Sequence, residues 1–181
     1  RVQIVIYKVA LPRDRITALD VDDMTAEAKT SATLQKALDE LGDTTVLYRI
    51  DQVVKLSANP SFTIGSSTPF VRGTQTSKRG AKTARISYQD VGCSIDLGGV
   101  WRRNEPDSGE ARMDLELSSM DDSTVDLGND RTAKVFRNVK QRFEGLVRTG
   151  RPVVLLSLDA GTPQDTATAY VTRFELTRLR P

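Results

Sequence analysis

Residues 86–119 read ISYQDVGCSIDLGGVWRRNEPDSGEARMDLELSS, and this stretch decides the fold. In its first half Cys93, Ile95, Leu97, Gly99 and Trp101 alternate with Ser94, Asp96, Gly98 and Arg102. In its second half Met113, Leu115 and Leu117 alternate with Arg112, Asp114, Glu116 and Ser118. A period of two is that of a strand with one face covered and the other wet. Between the halves, Asn104-Glu105-Pro106-Asp107-Ser108-Gly109 supplies the Pro, Asx and Gly chemistry of a hairpin loop. The stretch is expected to be a long amphipathic hairpin with strands of about nine residues, roughly 30 Å each. Gly98 and Gly99 interrupt the first strand, and glycine in a strand marks a bend or a bulge.

Composition bounds what surrounds the hairpin. The 181 residues are enough to bury a sizeable core. A net charge of +2 implies no strongly charged partner for the chain as a whole. With one cysteine, Cys93, no internal disulfide forms, and with no histidine the commonest general base and metal ligand is missing. No apolar run approaches the roughly 18 residues of a membrane helix. The chain opens inside an apolar strand, so it reads as the ordered part of a longer protein.

In chain order, residues 2–10 are apolar on both faces, as in a strand covered on two sides, and Pro12 ends it. A short helical turn is expected at 22–29. A helix is expected at 30–41, with Leu34, Ala37, Leu38 and Leu41 on one face, Ser31 or Thr33 as its cap and Gly42 as its stop. Short strands follow at 45–50, 53–56 and 62–65, with Gly65-Ser66-Ser67 read as a turn. Residues 72–80 read as a polar hairpin tip and 120–130 as an acidic, turn-rich connection. Alternation resumes at 132–143, an apolar run occupies 153–158, and a last strand at 167–179 puts Tyr170, Phe174 and Leu176 on one face. There is no internal repeat and no low-complexity linker. The economical reading is a single domain over 1–181, mainly β with one or two short helices.

Four motifs, in register, resemble the secretin family. Thr33-Leu34-Gln35-Lys36-Ala37-Leu38-Asp39-Glu40-Leu41-Gly42, followed by Phe62-Thr63-Ile64-Gly65 and Thr68-Pro69-Phe70-Val71, resembles the opening of the secretin domain. Tyr88-Gln89-Asp90-Val91-Gly92-Cys93-Ser94-Ile95-Asp96-Leu97 is similar to that family's Val-Gly signature, and Met113-Asp114-Leu115-Glu116-Leu117 to the strand after it. Val147-Arg148-Thr149-Gly150-Arg151-Pro152-Val153-Val154-Leu155-Leu156 sits where secretins carry a Gly turn before an apolar strand. The likeness runs over 2–158. Two features depart from the pattern: Gly161-Thr162-Pro163-Gln164-Asp165 replaces the usual segment after that strand, and the membrane-inserting lip is reduced to the short, acidic 120–131.

The resemblance implies a fold in which 1–60 holds the helix and short strands, 61–92 a gate hairpin, 93–131 a long wall hairpin with a short lip, and 132–181 the closing strands. It implies a channel subunit, not an enzyme. A dozen or more copies would form a ring with a double-walled β-barrel in the bacterial outer membrane or periplasm, passing protein, pili or nucleic acid. Outer-membrane lipid and periplasmic partners of a preceding N-terminal region complete the implied contacts, with no cofactor. The gate would be carried by Gly73, Thr74, Lys78, Arg79, Gly80 and Lys82, where no carboxylate lies between Arg72 and Arg85. Stacked in a ring, such cations would favour anionic cargo. The same residues also read as a solvated hairpin tip.

Other readings stay open. An ordinary β-sandwich would show similar hairpins. A structural ring or interaction module that spans no membrane fits the short acidic lip. A hydrolase would need a constellation such as Asp90 with Asp96, but no acid–base partner is indicated. Asp121, Asp122, Asp126 and Asp130 lack the ligand spacing and central glycine of a calcium loop and read as a solvated loop. Gly65-Ser66-Ser67 has no Gly-Lys-Ser/Thr near it to make a phosphate loop. Cys93 reads as a small buried residue.

Overall fold

The computed structural model describes residues 1–76, 82–126, 132–159 and 166–179. Two four-stranded antiparallel sheets account for most of them. The first is built on β1 (Val2–Pro12), whose side chains are buried on both faces along most of its length. It pairs antiparallel with β2 (Asp43–Gln52) on one side and with β8 (Thr166–Leu176) on the other. β7 (Pro152–Asp159) pairs with β8, giving the order β2-β1-β8-β7. Two helices, α1 (Val21–Glu27) and α2 (Ser31–Leu41), follow a 3-10 turn at Arg13–Ala18. They cover one face of this sheet. Leu34 and Leu38 of α2 and Met24 of α1 close over Val5, Tyr7, Val9 and Leu11 of β1 and Ala169 and Val171 of β8.

The helix at 30–41 forms as its apolar spacing predicts, but its cap is Thr30 rather than Ser31 or Thr33. Thr33 N donates to Thr30 Oγ1 at 3.1 Å and Thr30 N donates to Thr33 Oγ1 at 3.1 Å, a reciprocal box with threonine in the third position. Gly42 does end the helix, for a reason of space. Its backbone is extended, with φ −174°, and a Cβ there would stand 2.3 Å from Ala10 O. Arg173 is 3 % exposed; its Nε donates to Ala28 O at 2.9 Å, and its Nη2 donates to Lys29 O and pairs with Glu175. That buried guanidinium fastens the α1–α2 corner to β8, and Tyr7 Oη adds a bond to Ser31 O at 2.9 Å.

The second sheet, in the order β3-β4-β5-β6, consists of β3 (Ser61–Thr76), β4 (Lys82–Trp101), β5 (Ser108–Asp126) and β6 (Thr132–Arg148). Its strands are 16 to 20 residues long, about twice the expected length. The loop between β4 and β5 is closed by Arg102 N to Ser108 O and Ser108 N to Glu105 O, both 2.9 Å. Three expectations are corrected. Residues 53–56 form no strand, because β2 ends at Gln52 and a 3-10 turn follows at Leu56–Ala58. Gly65-Ser66-Ser67 lies inside β3 and is not a turn, since β4 pairs along it. The stretch from Met120 to Asp126 continues β5 rather than forming a turn-rich connection, since pairing with a neighbouring strand outweighs weak local turn preference.

The chain divides into two compact units. The first comprises Arg1–Pro60, Asp96–Asp114 and Gln141–Pro181, the second Ser61–Ile95 and Leu115–Lys140. Within the first unit the face of the β2-β1-β8-β7 sheet opposite the helices is covered too. Phe143 meets Phe174 with ring centroids 6.1 Å apart, and Gln141 Nε2 donates to Tyr170 O at 3.0 Å. Ile4, Ile6, Leu97 and Met113 are buried in the same unit. This double coverage makes β1 the core strand. Leu38→Ala is therefore expected to lower stability by about 2–5 kcal/mol, and Thr30→Ala by about 1 kcal/mol, both read as shifts of the denaturant midpoint.

Candidate functional site

The long-stranded sheet carries most of the residues that the sequence marks as functional. β3 and β6 end its strand order, so each has one side without a strand partner among the described residues. In the second unit Cys93, Ile95, Leu115 and Leu117 are buried, as their alternation requires. The alternate positions carry polar groups beside exposed apolar ones, Ile86 and Tyr88 among them. Ser67 Oγ donates to Asp90 Oδ1 at 2.8 Å, and Asn138 Nδ2 donates to Glu116 Oε1 at 2.6 Å. Lys140 Nζ lies 3.1 Å from Glu116 Oε2. The Asn138 bond and then Lys140 hold the Glu116 carboxyl below its usual range. Gly65, Ser67, Asp90, Ser94, Glu116 and Asn138 line an open trough of about 560 Å³ that touches all four strands.

Two features of this unit escape a reading of the sequence. Gly65 and Gly92 lie against each other across β3 and β4. A Cβ on Gly65 would stand 2.4 Å from Val91 O, and one on Gly92, at φ 148°, would stand 2.2 Å from Ile64 O. Only glycine fits either position. Second, the rings of Phe70 on β3 and Phe136 on β6 meet edge to face with centroids 5.3 Å apart. The signal for the first was present, since both glycines interrupt alternating runs. The second carried none, because nothing in the sequence pairs positions so far apart.

The part of the sheet in the first unit is wet on one side in the same way. Arg142 lies 3.5 Å and Arg112 2.6 Å from the Asp114 carboxylate, and Arg102 3.2 Å from Glu110. Such exposed pairs each add little stability, but a lattice of both signs marks a face that stays in water. Val100 and Leu146 are the apolar exceptions, 58 % and 59 % exposed. Gly98 and Gly99, read as the kink, sit within an unbroken β4. Gly99 takes φ 154°, and a Cβ there would meet Glu110 O at 2.4 Å; one on Gly98 would meet Asn59 Oδ1 at 2.9 Å.

The gate residues are covered in part. Gly73 and Thr74 lie near the end of β3, with open space around Gly73, and Lys82 begins β4. Lys78, Arg79 and Gly80 fall outside the described residues. Asp121, Asp122 and Asp126 belong to β5 rather than to a loop, and Asp130 also lies outside. Among the described residues no group of three or more His, Cys, Asp or Glu is placed to hold a metal, and no helix is long and apolar enough to cross a membrane. Asp90 is engaged by Ser67, and Asp96 is exposed. No protein-family model matches the chain, and no curated protein or solved structure matches it either.

Cys93 is 3 % exposed, and burial pushes its thiol from 9.0 up to about 11. A raised folded value favours the neutral thiol, so the contribution to stability is complete below pH 9.0 and is lost as pH rises through about 11. Stability measured across that interval is expected to fall, and Cys93→Ala should flatten the slope. Native Cys93 should also resist maleimide at neutral pH and react once the chain is unfolded.

Proposed function

We propose that this chain is the subunit of a ring-forming channel of the secretin type. The β3-β4-β5-β6 sheets of successive copies join edge to edge as a wall of the barrel. The observation that carries this reading is that β3 and β6 each have one side without a strand partner among the described residues. β3 has 16 residues and β6 has 17, which leaves roughly 50 Å of open backbone on each side. Edges of that length promote uncontrolled pairing unless they are covered, and closing a barrel removes them. With four strands in each sheet, β6 of one copy and β3 of the next run antiparallel. A contact between two different surfaces closes into a ring when its rotation allows. Pro69, which has no N–H to donate, lies on an edge strand, where it costs least.

In this reading the basic segment around Lys78, Arg79 and Lys82 faces the lumen as a gate and prefers anionic cargo, of which nucleic acid is the obvious polymer. Protein or a pilus remains within the same class of macromolecular cargo. The ring sits in the bacterial outer membrane or the periplasm. A second reading, a ring that spans no membrane, is favoured by the ion pairs of Arg112, Asp114, Glu116, Lys140 and Arg142. A lipid-facing strand carrying such charges at the bilayer midplane costs about 2–4 kcal/mol for each Lys or Arg.

Negative-stain images of the purified protein are expected to show rings, with sedimentation giving no stable folded monomer at micromolar concentration. A well-behaved monomer would sink both readings. Flotation with liposomes then decides between them: a spanning channel floats and conducts, and a periplasmic ring does neither. In single-channel recordings, replacing Lys78, Arg79 and Lys82 with serine should abolish or reverse anion preference. Unchanged selectivity would remove the gate assignment.

A further inference from the structure

We infer that the contact between Phe70 and Phe136 is a self-closure of the isolated chain, which assembly exchanges for the same contact between neighbouring copies. The inference rests on the ring reading above and names both the contact that joins two subunits and the one that holds them apart. In a flat sheet β3 and β6 would lie three strand spacings from each other, about 14 Å, with side chains standing roughly perpendicular to the sheet. Their ring centroids are nevertheless 5.3 Å apart. The sheet therefore curls until its two edge strands turn toward each other.

The curl is written into the backbone at Gly65 and Gly92. Each occupies a position where a Cβ would lie within 2.4 Å of a carbonyl oxygen on the neighbouring strand. Bare backbone at a facing pair lets two strands bend together. The consequence for assembly follows from geometry. A curled sheet points its open edges at each other and away from other copies, which guards an isolated subunit against premature pairing. When β6 of one copy lies beside β3 of the next, Phe70 and Phe136 are on adjacent strands, one spacing apart. Rings at that distance fall within the preferred 4.5–7 Å without any curl. The closed contact leaves Phe136 36 % exposed, so it is also incompletely covered until a neighbour arrives. Uncurling and pairing are thus one event, and Phe70 and Phe136 serve as the latch in one state and the seam in the other.

The experiment mixes two single-cysteine chains, Phe70→Cys and Phe136→Cys, and treats them with a short bismaleimide when diluted below the micromolar concentrations at which they assemble and again after assembly; buried Cys93 serves as the unreactive background. A second pair, Thr68→Cys and Asn138→Cys, sits two residues away on the same strands and keeps both rings, in case loss of a phenyl ring impairs folding. Assembled mixtures are expected to give covalent dimers about a hundredfold faster than dispersed ones, because neighbours are held at millimolar effective concentration. Chains carrying both cysteines should give a ladder of linked subunits when assembled and only an internally linked monomer when dispersed. Rings that form while the mixed chains give no dimer, and the doubly substituted chains stay internally linked, would overturn the exchange and leave the ring intact. Absence of rings would overturn the reading beneath it as well.

Discussion

Strand β1 is the constraint on which the rest depends. It is paired on both sides, by β2 and β8, and its side chains are buried on both faces, under α2 on one and, on the other, beside Phe174, which Phe143 covers. A strand in that position satisfies its whole backbone and loses nearly all of its apolar surface to the interior. Its burial fixes where the helices dock and which way β8 faces. Each completely buried side chain of this strand, such as Ile4, Ile6 or Leu11, is worth about 1.5–3 kcal/mol relative to exposure. The opposing conformational entropy is of the same order, so the strand is essential without being the whole of stability. Arg173 belongs to the same logic. Its charge is tolerated inside because two carbonyls and Glu175 use its donors.

The second sheet has the opposite character. Its strands are far longer than the first unit needs for a core, and they end in open edges rather than in covered ones. Length of this kind has an energetic cost in isolation, since unpaired backbone invites other chains. In the proposed ring, other copies are the cover. The polar side of the same strands carries charges of both signs, which suits contact with water on one side of a wall. The open edges and the water-facing surface are two consequences of one arrangement: two long hairpins laid side by side.

The glycines mark where neighbouring strands of that arrangement approach most closely. Gly65 and Gly92 face each other, and Gly99 stands against the Glu110 carbonyl. At these positions the side chain is excluded by a neighbouring strand, not merely unneeded. A curled sheet of four strands is softer than a packed sandwich, because one of its faces is open to solvent. Such softness is what the proposed exchange between a closed form alone and an open form among neighbours requires.

The amino-acid sequence by itself determined the alternation of the long hairpin, the apolar β1, the α2 helix and the last strand, because each is a local pattern of period two or near 3.6. It also determined which face of β4 and β5 is buried, since a period of two leaves no other choice once Cys93, Ile95 and Leu97 are apolar. It misjudged where strands end. Met120–Asp126 and Gly65-Ser66-Ser67 carry turn residues yet extend strands, because pairing with an adjacent strand outweighs weak local preference. It chose the wrong cap for α2, since threonine at the third position completes the box as glutamate would. What only the tertiary structure decided are the contacts between distant positions: Arg173 under the α1–α2 corner, Gly42 against Ala10, Gly65 opposite Gly92, and Phe70 against Phe136. Each depends on two backbones meeting in space, and that meeting leaves no periodic trace along the chain.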